Sequence, residues 1–305
     1  MAFSEGPEAS IWHDRIESDP VFCCPVDYGA GQALEGFWRE VFRSARPGSR
    51  VLEIGCGSGQ VSLWAAEAKP GLKILATDLH NRCADALRHP DIRFQGHVRA
   101  EQLPFPPGAF ELVVSNFAFE YADLPPACRE LGRVLTPGGG AVLVMHRVDS
   151  DISVSSRLMI EIDRRLRETG IPESVRRAAG LGRHHLSRRK LLKQALSRRA
   201  DIPAAVFNFS GAEYFVMAER LLRGEAVDAA ELDQVDQGFA MRLRMAREQA
   251  RVALDTARLR TLLAAFSAAG LRTDASDLSC TYPDGRVDQV GWIALLTKAA
   301  PIRPA

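Results

Sequence analysis

Short apolar runs alternate with segments of helical periodicity between residues 49 and 147. Runs such as "SRVLEIG" have the length of single strands, whereas "QVSLWAAEA" places its apolar residues at helical spacing. This alternation predicts βα units on a parallel sheet. The predicted strands are "SRVLEIG", "LKILATD", "IRFQGHV", "FELVVSN" and, after the turn "TPGGG", "AVLVMHR". A helix, "GQALEGFWREVFRSA", is predicted before the first strand.

The pattern changes to uninterrupted helical periodicity from about 151 to 268. After it, "LRTDASDLSCTY" and "VGWIALLTKA" predict two closing strands separated by the turn "PDGR". Because these strands need a sheet to join, we predict one sheet interrupted by a helical insertion. The predicted organisation is an N-terminal segment over 1–32, a core over 33–150 and 268–305, and the insertion over 151–267.

Composition adds little to this picture beyond a globular class. The chain has 305 residues, of which 46% are apolar and 25% charged, and its formal net charge is +1. The start "MAFSEGPEAS" does not resemble a signal peptide, and no apolar run approaches the roughly 20 residues of a membrane span. The cysteines show neither a C-x-x-C pair nor a zinc-site spacing. We therefore expect a cytoplasmic protein with reduced thiols, without a metal site and without a membrane span.

The stretch "RVLEIGCGSGQ" runs from the first strand into three glycines, Gly55, Gly57 and Gly59. Glycine adopts positive φ readily and lets backbone amides come close to a ligand. The pattern G-x-G-x-G is one residue tighter than the G-x-G-x-x-G of dinucleotide-binding folds. It predicts a ligand site at this turn.

Two acidic residues accompany the glycines. Glu53 lies inside the first strand, where a carboxylate is costly to bury unless it meets donors or a cation. Asp78 ends the second strand, where an acid can accept both hydroxyls of a ribose. Structural interpretations remain for both: a paired carboxylate at Glu53, and at Asp78 a cap for the helix "NRCADALRH".

These motifs resemble those of the class I S-adenosylmethionine-dependent methyltransferases, especially the small-molecule branch. "VLEIGCGSGQ" is similar to the family's first motif, "LPFPPGAFELVVSNFAFEY" to its strand-four region, and "ELGRVLTPGGGAVLV" to its helix, PGG turn and fifth strand. The resemblance covers roughly 33–147 and the last thirty or so residues. It implies an α/β, Rossmann-like, doubly wound seven-stranded sheet whose last strand is antiparallel. The implied cofactor is S-adenosyl-L-methionine.

The resemblance also implies which residues bind that cofactor. Gly55 and Gly57 would line its methionine moiety, Glu53 would anchor the amino end, Asp78 would hold the ribose hydroxyls, and Leu79 would pack on the adenine. The full cofactor set is Glu53, Gly55, Cys56, Gly57, Gly59, Asp78, Leu79, Ala100, Glu101, Asn116 and Phe117.

Two positions depart from the family pattern, of which the milder is Phe110-Glu111, where the family has F-D before the fourth strand. An aspartate is frequent where this chain has Arg99, so adenine recognition would rest on backbone groups or on Glu101. Asn116 and Phe117 match the start of the substrate-facing loop after the fourth strand. Tyr28, near the N-terminus, is a further candidate to close over the cofactor.

A methyl acceptor that is a hydroxyl or an ammonium must lose a proton. Candidates for this chemistry follow the fourth strand, at Glu120 and Tyr121, and the fifth strand, at His146. Many relatives carry a histidine pair at the first of these places. The structural interpretations are a solvent-facing carboxylate at a helix start for Glu120 and a satisfied rim histidine for His146.

The insertion contains a stretch, 176–199, with nine Lys or Arg and no acid. It predicts either a docking surface for an anionic partner or a solvated face that pairs with the acidic stretch 224–237. Nucleic acid is disfavoured because no aromatic residue in the stretch could stack on a base. Five other insertion residues could roof an apolar acceptor or form the insertion's own core: Phe207, Phe209, Tyr214, Phe215 and Met217.

The sequence thus predicts a methyltransferase that moves a methyl group to oxygen or nitrogen of a small or carrier-bound metabolite. We expect a monomer or homodimer with the insertion as a lid over the acceptor. The alternatives are an RNA or protein methyltransferase docking through 176–199, and a non-catalytic S-adenosylmethionine-binding protein. A nicotinamide-dependent oxidoreductase is disfavoured by G-x-G-x-G and by "TPGGG".

Overall fold

The computed structural model describes residues 28–81, 88–181, 185–198 and 212–300. The chain divides into two compact units, one containing residues up to Ser153 and from Val252 onward, the other Val154–Arg251. The predicted helix over 81–89 and most of the N-terminal segment 1–32 lie outside the described residues.

The first unit is built on one sheet and the helices around it. Its elements are α1 (Tyr28–Ser44), β1 (Arg50–Ile54), α2 (Gln60–Ala68), β2 (Lys73–Thr77), β3 (Ile92–Gln95), β4 (Phe110–Asn116), a 3₁₀ turn (Phe119–Tyr121), α3 (Leu124–Val134), β5 (Leu135–Met145), α9 (Thr256–Ala268), β6 (Leu271–Thr281) and β7 (Val287–Lys298).

The seven strands are ordered β3-β2-β1-β4-β5-β7-β6. The strands β1 to β5 pair in parallel, and β7 is antiparallel to both β5 and β6. This confirms the predicted Rossmann-like sheet with a helical insertion between the fifth and sixth strands. The chain order reverses direction between β1 and β4, and ligands of doubly wound sheets bind at the carboxyl ends of the strands beside such a point.

The segment "TPGGG" differs from its prediction as a simple turn, because β5 begins before it at Leu135. The pairing with β4 breaks there: Phe110 lies opposite Leu135, and Leu112 opposite Gly140. Four residues of β5 therefore bulge out where β4 has one. Gly138, at φ 77°, permits this bulge in the segment.

Both faces of the sheet are covered, as side-chain alternation along buried parallel strands requires. Val51 and Val114 face one hydrophobic cluster with α1 and α2. Leu52 and Val113 face a second cluster with α3 and α9. The helix α9, which falls within the range 151–267 expected for the insertion, packs on this second face through Leu259, Leu262 and Phe266.

The second unit is helical. Its helices are α4 (Asp151–Thr169, which begins in the first unit), α5 (Ile171–Ala179), α6 (Leu186–Ser197), α7 (Ala212–Leu222) and α8 (Ala229–Val252). Tyr214, Phe215 and Met217 are buried in this unit's own core with residues of α4, α5 and α6. Phe207 and Phe209 lie outside the described residues.

Arginines of the basic stretch 176–199 bind other parts of the second unit. Arg176 forms ion pairs with Asp233 and Asp236 of the acidic stretch 224–237. Arg188 is 7% exposed, and its Nη2 donates to the carbonyls of Leu221 and Glu225 at 3.0 and 3.3 Å. These contacts support the interpretation in which the stretch pairs within the insertion. Of the helices in the described ranges, none is long and apolar enough to cross a membrane.

Candidate active site

The glycine loop between β1 and α2 adopts left-handed backbone at every glycine. The φ angles of Gly55, Gly57 and Gly59 are 70°, 51° and 80°. A Cβ on Gly55 would lie 2.4 Å from the Cβ of Ala118, so the loop after β4 approaches too closely for any side chain. A Cβ on Gly57 would meet no heavy atom of the described residues within 4 Å. The loop is therefore closely packed at Gly55, whereas the space beside the Gly57 backbone is open.

Asp78 follows β2 and binds this loop. Its Oδ2 accepts a hydrogen bond from the Gly57 backbone N–H at 2.8 Å, and its Oδ1 accepts one from the His80 N–H at 3.0 Å. A carboxylate has about four acceptor sites, so each oxygen retains capacity for a further donor. The helix that Asp78 was predicted to cap includes residues 82–87, which lie outside the described part of the chain.

Glu53 is buried within β1, with 2% of its surface exposed. Burial raises its pKa to about 8, the hydrogen bond from the Ser62 hydroxyl opposes that rise, and the negative charge of Asp78 adds to it. Ser62 is a neutral donor. A buried carboxylate with a raised pKa and a neutral donor is suited to bind a cation, whose charge would favour the ionised form.

The remaining predicted cofactor residues lie around the end of β2. Val98 donates its N–H to the Asp78 carbonyl at 2.9 Å, which brings the segment before Ala100 to this strand end. Ala100 is buried in the core, whereas Glu101 accepts a hydrogen bond from the Asp123 N–H at 2.9 Å. The Nε of Arg99 lies 3.6 Å from a Glu101 oxygen.

The other predicted members are placed by their elements alone. Cys56 is buried between Gly55 and Gly57, and Leu79 is half-buried directly after Asp78. Tyr28 begins α1. Their roles stay predictions.

The carboxyl ends of β4 and β5 form the adjacent part of the site. Trp38 of α1 donates its indole N–H to Oδ1 of Asn116, the last residue of β4, at 3.0 Å. Phe117 follows at φ 52°, a sparsely populated conformation for a residue with a side chain. A Cβ on Gly291 of β7 would lie 3.1 Å from the Phe117 ring. Such backbone outliers cluster at functional sites.

Glu120 and His146 contact each other although they are 26 residues apart. Glu120 Oε1 lies 2.6 Å from His146 Nδ1 and accepts the His146 backbone N–H at 2.7 Å. Both residues are buried, at 5% and 2% exposure, so the solvent-facing interpretation of Glu120 is wrong. The Tyr121 ring lies edge-on to the imidazole, with ring centroids 5.8 Å apart.

Three contacts at the site were not predicted from the sequence: Ser62 with Glu53, Trp38 with Asn116, and Glu120 with His146. Only the contact between Glu120 and His146 could have been predicted from the sequence. Residues that follow neighbouring parallel strands emerge at the same sheet edge, so Glu120 and His146 could have been paired on topology alone.

The strand order, the G-x-G-x-G loop and the two acids at the ends of β1 and β2 define a class I methyltransferase core. The comparison with known families agrees: residues 52–143 match the family described as "Methyltransferase domain". This match agrees with the resemblance noted in the sequence, and the family implies S-adenosyl-L-methionine as the methyl donor.

Individual relatives match about a third of the chain. A demethylmenaquinone methyltransferase of Thermus thermophilus is 37% identical over 103 residues, which are 31% of this chain and 46% of the relative. A malonyl-acyl-carrier-protein O-methyltransferase of Erwinia billingiae is 36% identical over 114 residues, 36% of this chain and 43% of that relative. The chain thus spans less than half the length of these curated relatives.

Among solved structures, a possible histamine N-methyltransferase of Thermotoga maritima aligns with 95% of this chain and 99% of its own. The TM-score is 0.47 and the sequence identity 10%.

Proposed function

We propose that this protein is an S-adenosylmethionine-dependent methyltransferase that acts on oxygen or nitrogen of a small or carrier-bound metabolite. The observation that supports it most is the convergence of Gly57, Asp78 and Glu53 at the carboxyl edge of β1 and β2. The space beside the Gly57 backbone is open, the Asp78 carboxylate can accept further hydrogen bonds, and Glu53 is a buried carboxylate with a raised pKa.

The residues present fit this cofactor. Gly57 leaves room for a ligand against its backbone, Asp78 can accept two hydroxyl hydrogens, and Glu53 can balance an ammonium group. When bound, S-adenosylmethionine supplies a methyl group on a sulfonium sulfur, which a nucleophile displaces in line.

The protein's own contribution is then positioning and exclusion of water. The Gly57–Asp78 hydrogen bond fixes the loop against the end of β2. The Trp38–Asn116 hydrogen bond fixes the end of β4. Both strand ends are thereby held rigid on the side where the acceptor would enter.

The two chain segments that lead into and out of the second unit lie near the end of β5. The chain leaves the first unit at Ser153, eight residues after β5 ends at Met145, and returns at Val252. Just after the return, Leu254 donates its N–H to the His146 carbonyl at 2.8 Å.

The names of two relatives support a small or carrier-bound acceptor, without fixing the chemical group that is methylated. By their names, one methylates demethylmenaquinone and the other a malonyl group on a carrier protein. The alternative, docking of RNA or protein on 176–199, is weakened because Arg176 and Arg188 already bind the insertion itself.

The test is transfer of a radiolabelled methyl group from S-adenosylmethionine to fractionated cell extract. We expect label in the small-metabolite or carrier-protein fraction, and none in that fraction with Gly57→Ala protein. Label in RNA instead would favour docking through 176–199. Binding of the cofactor without transfer to any fraction would favour a non-catalytic S-adenosylmethionine-binding protein.

A further inference from the structure

We infer that Glu120 and His146 form a proton-transfer pair, in which His146 Nε2 takes the proton of the methyl acceptor. The inference rests on the proposed function and narrows it. It assigns the acceptor to groups that must lose a proton, namely hydroxyls and ammonium groups, rather than carboxylates, which are already anions at neutral pH.

The hydrogen bonds of Glu120 determine which imidazole nitrogen is free. Its Oε1 accepts the His146 backbone N–H at 2.7 Å and lies 2.6 Å from His146 Nδ1. Imidazole is ordinarily a stronger base than a carboxylate, and Oε1 already acts as an acceptor for the backbone N–H. We therefore assign the hydrogen of the Oε1–Nδ1 contact to Nδ1. In a neutral imidazole, Nε2 is then left as the acceptor.

The pair is held in a fixed orientation. Glu120 lies in the 3₁₀ turn after β4, and His146 directly follows β5, so two paired strands position the two side chains. The Phe117 ring packs against the imidazole with centroids 4.7 Å apart, and the Tyr121 ring lies edge-on at 5.8 Å. Phe117 adopts left-handed backbone at this place.

Arg147, the cation next to the pair in the sequence, has acidic partners other than Glu120. Arg147, the next residue, is bound to Asp149 and Asp277, and its guanidinium lies over the Trp292 ring. The carboxylate of Glu120 is therefore available to balance positive charge that develops on His146.

The proposed step is balanced within these residues and the acceptor. The O–H or N–H bond of the acceptor breaks, its electron pair stays on oxygen or nitrogen as the nucleophilic lone pair, and the proton passes to His146 Nε2. The resulting imidazolium is stabilised by Glu120, and the proton leaves to solvent after the product departs. His146 is the catalytic residue of the pair and Glu120 its positioning residue.

The test uses the full chain labelled with ¹⁵N in its imidazole rings, and two cofactor analogues. S-adenosylhomocysteine lacks the transferred methyl group, whereas sinefungin carries an amine at that position. Long-range ¹H–¹⁵N spectra at pH 7.5 identify the tautomer of each histidine. The His146 signals are assigned by their loss in His146→Gln, or in His146→Asn should the first variant fail to fold.

We expect His146 to carry its proton on Nδ1 in both complexes, and its Nε2 resonance to move by several ppm between S-adenosylhomocysteine and sinefungin. His89 is the internal control, since its Nδ1 accepts the Asp91 N–H at 3.2 Å and it should show the opposite tautomer with no shift.

Two results would overturn the inference: a proton on Nε2 of His146, or an Nε2 resonance that does not respond to the amine, as expected for a purely structural pair. Failure of both analogues to bind would instead contradict the proposed function.

Discussion

The backbone N–H of Gly57 donates a hydrogen bond to Oδ2 of Asp78 at 2.8 Å. This bond joins the loop after β1 to the end of β2, across the strand pair where the cofactor is proposed to bind. It uses one acceptor site of the carboxylate and leaves others for a ligand. Asp78 thus orders the glycine loop, and its remaining acceptor sites are those proposed to bind the cofactor.

Alanine at Gly57 is expected to abolish cofactor binding while leaving the protein folded. Its φ of 51° makes alanine cost about 1–2 kcal/mol of unfolding free energy. The new methyl group would meet no described atom, and it would occupy the open space beside the Gly57 backbone where the cofactor is proposed to bind. Gly48→Ala is the matched control, with φ 74° and equal free space before β1. Both variants should lose similar stability in urea unfolding, and only Gly57→Ala should fail to bind S-adenosylhomocysteine.

The Gly55→Ala variant should be less stable than both Gly57→Ala and Gly48→Ala. Its methyl group would lie 2.4 Å from the Cβ of Ala118, so the loop after β4 would have to move. We expect a loss of stability clearly larger than that of Gly57→Ala, measured in the same urea series. Equal stability of the two variants would show that the loops are less closely packed than described.

The affinity for S-adenosylhomocysteine is expected to rise between pH 6 and pH 8.5. Burial raises the pKa of Glu53 to about 8, so the residue is largely protonated at neutral pH and must ionise to balance the ligand's ammonium group. Calorimetry at pH 7 in two buffers of different ionisation enthalpy should detect a proton released on binding. Glu53→Gln should bind weakly at every pH and release no proton.

The same group should make the free protein less stable as the pH rises. A carboxyl whose pKa is raised on folding stabilises fully below its unfolded value near 4.5, and this contribution is lost as the pH passes 8. The slope is at most about 1.4 kcal/mol per pH unit. Urea unfolding from pH 5 to 9 should show the decline in wild type and a flatter profile in Glu53→Gln.

Methionine at Arg188 should destabilise the second unit. The guanidinium donates to the carbonyls of Leu221, in the last turn of α7, and of Glu225, just after it. Losing these charge-assisted hydrogen bonds should cost about 1.5–3 kcal/mol of unfolding free energy. Hydrogen exchange should speed up in α6 and α7. Arg189→Met, at an exposed neighbour, is the control and should leave exchange unchanged.

The sheet was predictable because its signals are local. The segments "QVSLWAAEA" and "FELVVSN" coincide with α2 and β4, since each has an unambiguous apolar period and a clear stop. The bulge of β5 was not predictable, because Thr136 to Gly139 resemble a turn and only the pairing with β4 extends the strand across them.

The site was predictable to the level of its residues, but not of their contacts. Glu53 and Asp78 stand out because acids at the ends of apolar strands are unusual. Ser62 does not stand out, since a single serine in an apolar helix has many possible roles. The burial of Glu120 depends on the turn after β4 folding back towards His146, which no local pattern indicates.

The most direct test of the account is calorimetric titration of the purified protein with S-adenosylhomocysteine, beside Asp78→Ala and with NADH as the competing ligand. Asp274→Ala, at an exposed aspartate on the edge strand β6, is the matched control. We predict micromolar binding to wild type and to Asp274→Ala, at least tenfold weaker binding to Asp78→Ala, and no binding of NADH. No binding of S-adenosylhomocysteine, or tighter binding of NADH, would contradict the proposed function.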